Sequence, residues 1–132
     1  MRILYSFSCE HAQLLADQRL DAHHIFHQLF APGFPASHTM YFVVGMEWND
    51  EEPGAIDFKI DLIDPGNSPV LTINGQTEVG VSPADDSPQV TVLVMPMQDV
   101  VFPTKGIYHF DLQVGDRRIP LAPLHLIEAP EA

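Results

Sequence analysis

The chain has 132 residues, the length of one ordinary domain, and a chain of this size folds without metal or disulfides. Six Lys and Arg against 18 Asp and Glu give a net charge of −12, which argues against nucleic-acid and anionic-membrane partners, since both need a basic footprint. Twelve Pro and eight Gly speak against a helical bundle, 45% hydrophobic residues speak against disorder, and the single Cys9 excludes an intrachain disulfide and a Cys-based zinc site.

The apolar opening Ile3–Cys9 is interrupted at Glu10, too soon for a signal peptide, and no apolar run approaches the eighteen or so residues of a membrane span. The expectation is a soluble, cytoplasmic protein. In the first segment Ile3, Tyr5, Phe7 and Cys9 share one face by period two. Ala12–Leu20 is the one stretch with a pattern for a short helix. Asp21–Phe30 reads as a single strand, and the nearly continuous apolar run Met40–Trp48 as a central one.

Ile56–Asp64 alternates, with Ile56, Phe58, Ile60 and Leu62 inward and Asp57, Lys59, Asp61 and Ile63 outward. Asp64-Pro65-Gly66-Asn67 is a turn, because Pro presets φ and Gly or Asn accepts a positive one. Val70–Val79 is the expected hairpin partner. Ser82–Pro88 reads as a polar loop, and Val90–Met95 and Val100–Phe102 flank a Pro96 break that suggests an edge strand or a bulge. Gly106–Val114 alternates with Tyr108, Phe110, Leu112 and Val114 inward, Gly115-Asp116 signals a hairpin, and Leu124–Ile127 closes the sheet. The architecture that follows is an all-β antiparallel sandwich of about seven to eight strands, immunoglobulin-like or C2-like, over residues 1–128, with a frayed tail at 129–132.

Ser8-Cys9-Glu10, Ile25-Phe26, Phe34-Pro35 with His38, Asp64-Pro65-Gly66, Gly106 to Phe110 and Pro123-Leu124 together span nearly the whole chain. On these residues the chain resembles a bacterial family of small single-domain β-sandwich proteins of unknown function. The resemblance implies a fold and carries no activity. The chain departs from the pattern at His24 and His27, where that family more often has Gly and Asp.

Three histidines fall in His23-His24-Ile25-Phe26-His27. On one regular strand His23 and His27 stand about 13 Å apart and His24 faces away, so they do not converge on one metal ion. A metal site needs His11, His38, His109 or His125 from neighbouring strands. Asp50-Glu51-Glu52 and Asp85-Asp86 lack calcium-loop spacing and read as solvated turn charge, as does the Asp57/Lys59/Asp61 face. Cys9 sits in an apolar strand without the electropositive setting of a nucleophile, and no nucleotide-loop or serine-hydrolase motif occurs.

No catalytic residue, cofactor or metal is therefore assigned, and the expected class is a non-enzymatic binding or accessory module. Its candidate contact is the stiff, uncharged segment Phe30–His38, with Phe30, Pro32, Phe34, Pro35 and His38 meeting a protein partner or a second copy. The alternative is a metal-dependent or carbohydrate-binding sandwich that uses the histidine strand or Trp48.

Overall fold

A computed structural model describes residues 1–17, 19–48, 54–79 and 89–130. Among them run nine strands and no helix: β1 (Arg2–Leu14), β2 (Leu20–Phe26), β3 (Gln28–Ala31), β4 (Ala36–Trp48), β5 (Gly54–Ile63), β6 (Pro69–Val79), β7 (Gln89–Phe102), β8 (Gly106–Val114) and β9 (Arg117–Glu128). They form a four-stranded sheet, β2-β1-β4-β7, and a five-stranded sheet, β3-β9-β8-β5-β6.

The inner faces meet in one core. Met40, Phe42, Val44 and Met46 of β4 pack against Ile60 and Leu62 of β5 and Tyr108, Phe110 and Leu112 of β8. The rings of Phe42 and Phe110 stack with centroids 3.8 Å apart. Tyr108 is fully buried, yet its hydroxyl donates to Thr104 O at 2.7 Å and accepts from Thr104 N at 3.1 Å, so the polar end is satisfied. β4 lies between β1 and β7, which explains why its residues from Phe42 to Met46 are buried on both faces.

The turn at Asp64–Asn67 forms with the expected chemistry. Asn67 has φ 68°, and the Asp64 carboxylate accepts the Ser68 amide at 2.8 Å. β6 returns as the hairpin partner of β5, and Gly115 at φ 58° turns β8 into β9.

Several expectations are corrected. Among the described residues of Ala12–Leu20 there is no helix; β1 continues to Leu14 and β2 begins at Leu20. Asp21–Phe30 is not one strand, because at His27 the chain leaves the four-stranded sheet and enters the five-stranded one. Period two continues through that crossover, so the sequence carries no mark of it. β2 also contains His24 at φ 54°, a conformation that favours glycine.

The sheets are not wholly antiparallel, since β3 runs parallel to β9. Ile3 faces the main core and Tyr5, Phe7 and Cys9 the opposite side, because a register shift between Ile3 and Tyr5 inserts one residue and reverses the face. The two segments flanking Pro96 are one strand, β7, and it is an edge strand as expected, so a residue without an N–H is tolerated; the irregularity falls at Asp99, φ 52°, whose amide donates to Thr39 Oγ1. The last strand, expected over Leu124–Ile127, begins already at Arg117 as β9 and lies inside its sheet between β3 and β8. Asp61 and Ile63, expected outward and exposed, are both buried. Ala129 donates to Ala31 O at 2.9 Å, which ties down the start of the expected frayed tail. Asp50–Glu52, Ser82–Pro88 and the last two residues lie outside the described residues.

Candidate protein-contact surface

β3 is short, and its register decides what it presents. Leu29 stands beside Leu126 of β9 and packs on the main core. Strand alternation then turns Phe30 to the outer face beside its partner Ile127. One rung along, His125 lies between Gln28 of β3 and Ile107 of β8. Phe30 is 61% exposed and Ile107 58%, and His125 is exposed as well. The rim is charged, with Lys105 Nζ 3.6 Å from Glu128 Oε2. A groove of about 600 Å³ runs past Gly106, His125 and Ile127. The result is an apolar strip across three strands, rigid because every residue in it is held in a sheet.

The proposed loop residues are divided by the fold. Pro32 and Pro35 are exposed, and the Phe34–Pro35 peptide is cis. Phe34 is half-buried against the main core. His38 is half-buried too, its ring meeting Phe26 edge-on at 5.8 Å. His38 Nε2 is shielded from solvent, makes no hydrogen bond and lies 3.5 Å from Glu10 Oε1. Phe30 is thus the one aromatic of the segment that stands open to contact. Ile107, His125 and Ile127 come from distant parts of the chain. Ile107 had a sequence signal, since an inward Tyr108 and Phe110 leave an apolar residue facing out.

The histidine strand gathers no metal-binding set. His11 and His23 are cross-strand neighbours with ring centroids 6.2 Å apart, and His11 also meets the Tyr41 ring at 4.9 Å. His27 sits at the crossover between the sheets. Among the described residues no three His, Cys, Asp or Glu side chains come together in a group able to hold a metal ion. Trp48 is 4% exposed and donates its indole N–H to Thr91 Oγ1 at 2.8 Å, leaving no ring face for a sugar. Cys9 is fully buried, and burial pushes its thiol above the usual range despite a hydrogen bond from the His11 backbone.

No helix among the described residues is long and apolar enough to cross a membrane. The class that fold and surface define is a small all-β domain of two packed sheets. Residues 4–127 match the model of DUF6941, a family of unknown function, and the chain belongs to that family. No curated protein matches.

Proposed function

We propose that this protein is a non-enzymatic binding module that contacts another protein through the strip formed by Phe30, Ile127 and Ile107. The observation that carries the reading is the exposed Phe30 on a sheet-held outer face, flanked by exposed Ile107. A large ring already fixed by its backbone loses little freedom on docking, and such anchors dominate small interfaces. The buried Cys9, with its thiol raised by desolvation, supports a role without nucleophilic chemistry. The two facing sheets support a sandwich scaffold of the immunoglobulin-like or C2-like kind. The charge of −12 supports a partner that is neither nucleic acid nor membrane.

Cross-linking in the native host followed by mass spectrometry, together with sedimentation of the purified protein, tests the reading. Phe30→Ser is expected to abolish a specific cross-link to a partner, or to dissociate a dimer of the chain, with Tm nearly unchanged. Phe34→Ser is expected to lower stability by about 3 kcal/mol, as for a core-packed ring. Equal cross-linking and sedimentation of the wild type and Phe30→Ser would refute the contact.

A further inference from the structure

The two sheets end in four edge strands, and they differ in fitness to accept another strand. β3 has 4 residues, and β2 is interrupted by the left-handed His24. β7 is long, but Pro96 removes a donor and Asp99 kinks it. β6 is different. It pairs in unbroken register with β5 from Leu71 to Val79, and no other described strand pairs with its second edge. Natural edges of this kind are usually protected by inward charges, Lys or Pro. β6 carries Pro only at its first residue and no Lys or Arg anywhere.

The space beside that edge has a defined chemistry. A groove of about 360 Å³ opens between β6 and β7, lined by the apolar Val70, Leu71 and Ile73 of β6 and, on β7, by Met97 and Val100 together with the polar Gln98 and Asp99. Val101 is 53% exposed. On the outer face of β6 the exposed side chains are Thr72, Asn74, Gln76 and Glu78. β7 also lacks Lys and Arg, and its one charged residue is Asp99. Lys59, one strand in and opposite Asn74, is engaged 3.7 Å from Asp61. The edge is therefore apolar towards the groove, polar outward, and without a free positive charge on its own strand in a chain of net charge −12.

We propose that the free edge of β6 accepts an extended, alternating apolar and basic segment of another protein as an added strand. Its backbone pairs with β6, its apolar side chains enter the groove over Leu71, Ile73 and Met97, and its Lys or Arg side chains project beside Gln76 and Glu78. Strand addition of this type draws affinity from main-chain hydrogen bonds and specificity from alternate side chains. Charge selects the occupant, because a second copy brings the same acidic field and the same cation-free edges, whereas a basic strand is attracted to both. This surface lies on the edge of the five-stranded sheet opposite to β3, so it is separate from the Phe30 strip.

The test uses a blocked seven-residue peptide of alternating Lys and Val, followed by NMR on the isotope-labelled full chain. Expected are amide shift changes confined to β6, β7 and the facing part of β5. Affinity should fall at least about tenfold for the same peptide with alternate amides N-methylated, which keeps its charge but cannot pair as a strand. The Glu-Val counterpart should not bind. An Asn74→Lys variant, exposed and harmless to the core, should weaken the Lys-Val peptide and leave Tm unchanged. The proposal is overturned by equal affinity for the N-methylated peptide, by shifts confined to the Phe30 strip, or by no binding at all. A wild-type dimer that Asn74→Lys dissociates would overturn it in favour of a second copy as the occupant.

Discussion

The outer face of the four-stranded sheet and the outer face of the five-stranded sheet solve the same problem in opposite ways. On the first, no further layer of described residues covers the strands, yet Cys9 and Val43 are fully buried beneath Tyr5, Phe7, Tyr41, Val92 and Val94. The rings of Tyr5 and Phe7 lie 6.0 Å apart, and Tyr5 lies flat over Gly45, where a Cβ would come within 2.5 Å of its Cζ. On the second face the cover over β5 and β6 is polar. Thr72 donates to the Asp61 carboxylate at 2.6 Å, Lys59 approaches it at 3.7 Å, and Gln76 donates to Asp57 at 3.0 Å. Asp61 is 6% exposed on a face that points away from the core. The difference teaches that outward in a sheet does not mean solvated. A central strand is buried on both faces by the side chains of its neighbours, and it takes either apolar groups or satisfied polar ones.

The largest expected effect comes from exchanging the chemistry of the faces. Val43→Asp places an unpaired carboxylate beneath the Tyr5 and Phe7 rings and is expected to cost about 4 kcal/mol or more, read by urea unfolding. A loss under about 1 kcal/mol would show that the apolar face is wet and not a second core. Asp61→Ala is expected to cost about 1 kcal/mol, because the hydrogen bond from the Thr72 hydroxyl to a carboxylate that is itself 6% exposed is lost. If Thr72→Val costs as much alone and adds nothing to Asp61→Ala, the cost belongs to that hydrogen bond.

A smaller effect is pH-dependent and confined to the apolar face. Burial raises both Cys9, from 9.0, and Tyr5, from 10.0. In each case the native state holds its proton at a pH where the unfolded chain has released it. Stability contributed by these groups is therefore complete below about pH 9 and declines as pH rises through the folded values. Unfolding measured between pH 8 and 11 should show this decline, and Cys9→Ala should flatten its onset. An identical pH profile for the variant would remove Cys9 as a cause. In native protein the thiol should also react slowly with an alkylating reagent at pH 8, and quickly once unfolded.

The smallest effect sharpens the polar face. Asp61 and Asp111 stand directly opposite each other on β5 and β8, with His109 Nε2 4.0 Å from the Asp111 carboxylate. Like charges in that position repel. Asp111→Asn is expected to raise stability by about 0.5 kcal/mol at low salt, with the gain shrinking as salt increases. A loss of stability would mean that the His109 contact outweighs the repulsion.

What sequence reading recovered best were the segments whose signal is local. The alternation from Ile56 to Leu62 and from Tyr108 to Val114 named the inward side chains of β5 and β8, and Asp64–Asn67 and Gly115 marked their turns by residues suited to positive φ. The apolar run Met40–Trp48 identified the central strand. Of the proposed contact strip the sequence offered only Phe30, on a loop together with Phe34 and His38, and of these three rings the structure turns only Phe30 outward. Its neighbours Ile107, His125 and Ile127 were missed because they meet Phe30 through sheet register and not through proximity in the chain.

The sequence alone determined the all-β class, the acidic character and most strand positions, since side-chain alternation, turn residues and charge are written locally. Tertiary structure decided the rest. The reversal of face after Ile3 follows from one inserted residue that only the partner strand reveals. The crossover at His27 and the parallel pairing of β3 with β9 depend on which sheet has a free edge for four residues to join. The burial of Asp61 depends on its cross-strand neighbours, Thr72 of β6 on one side and Asp111 of β8 on the other. Each of these is a relation between strands, and period two within a strand is blind to its neighbours.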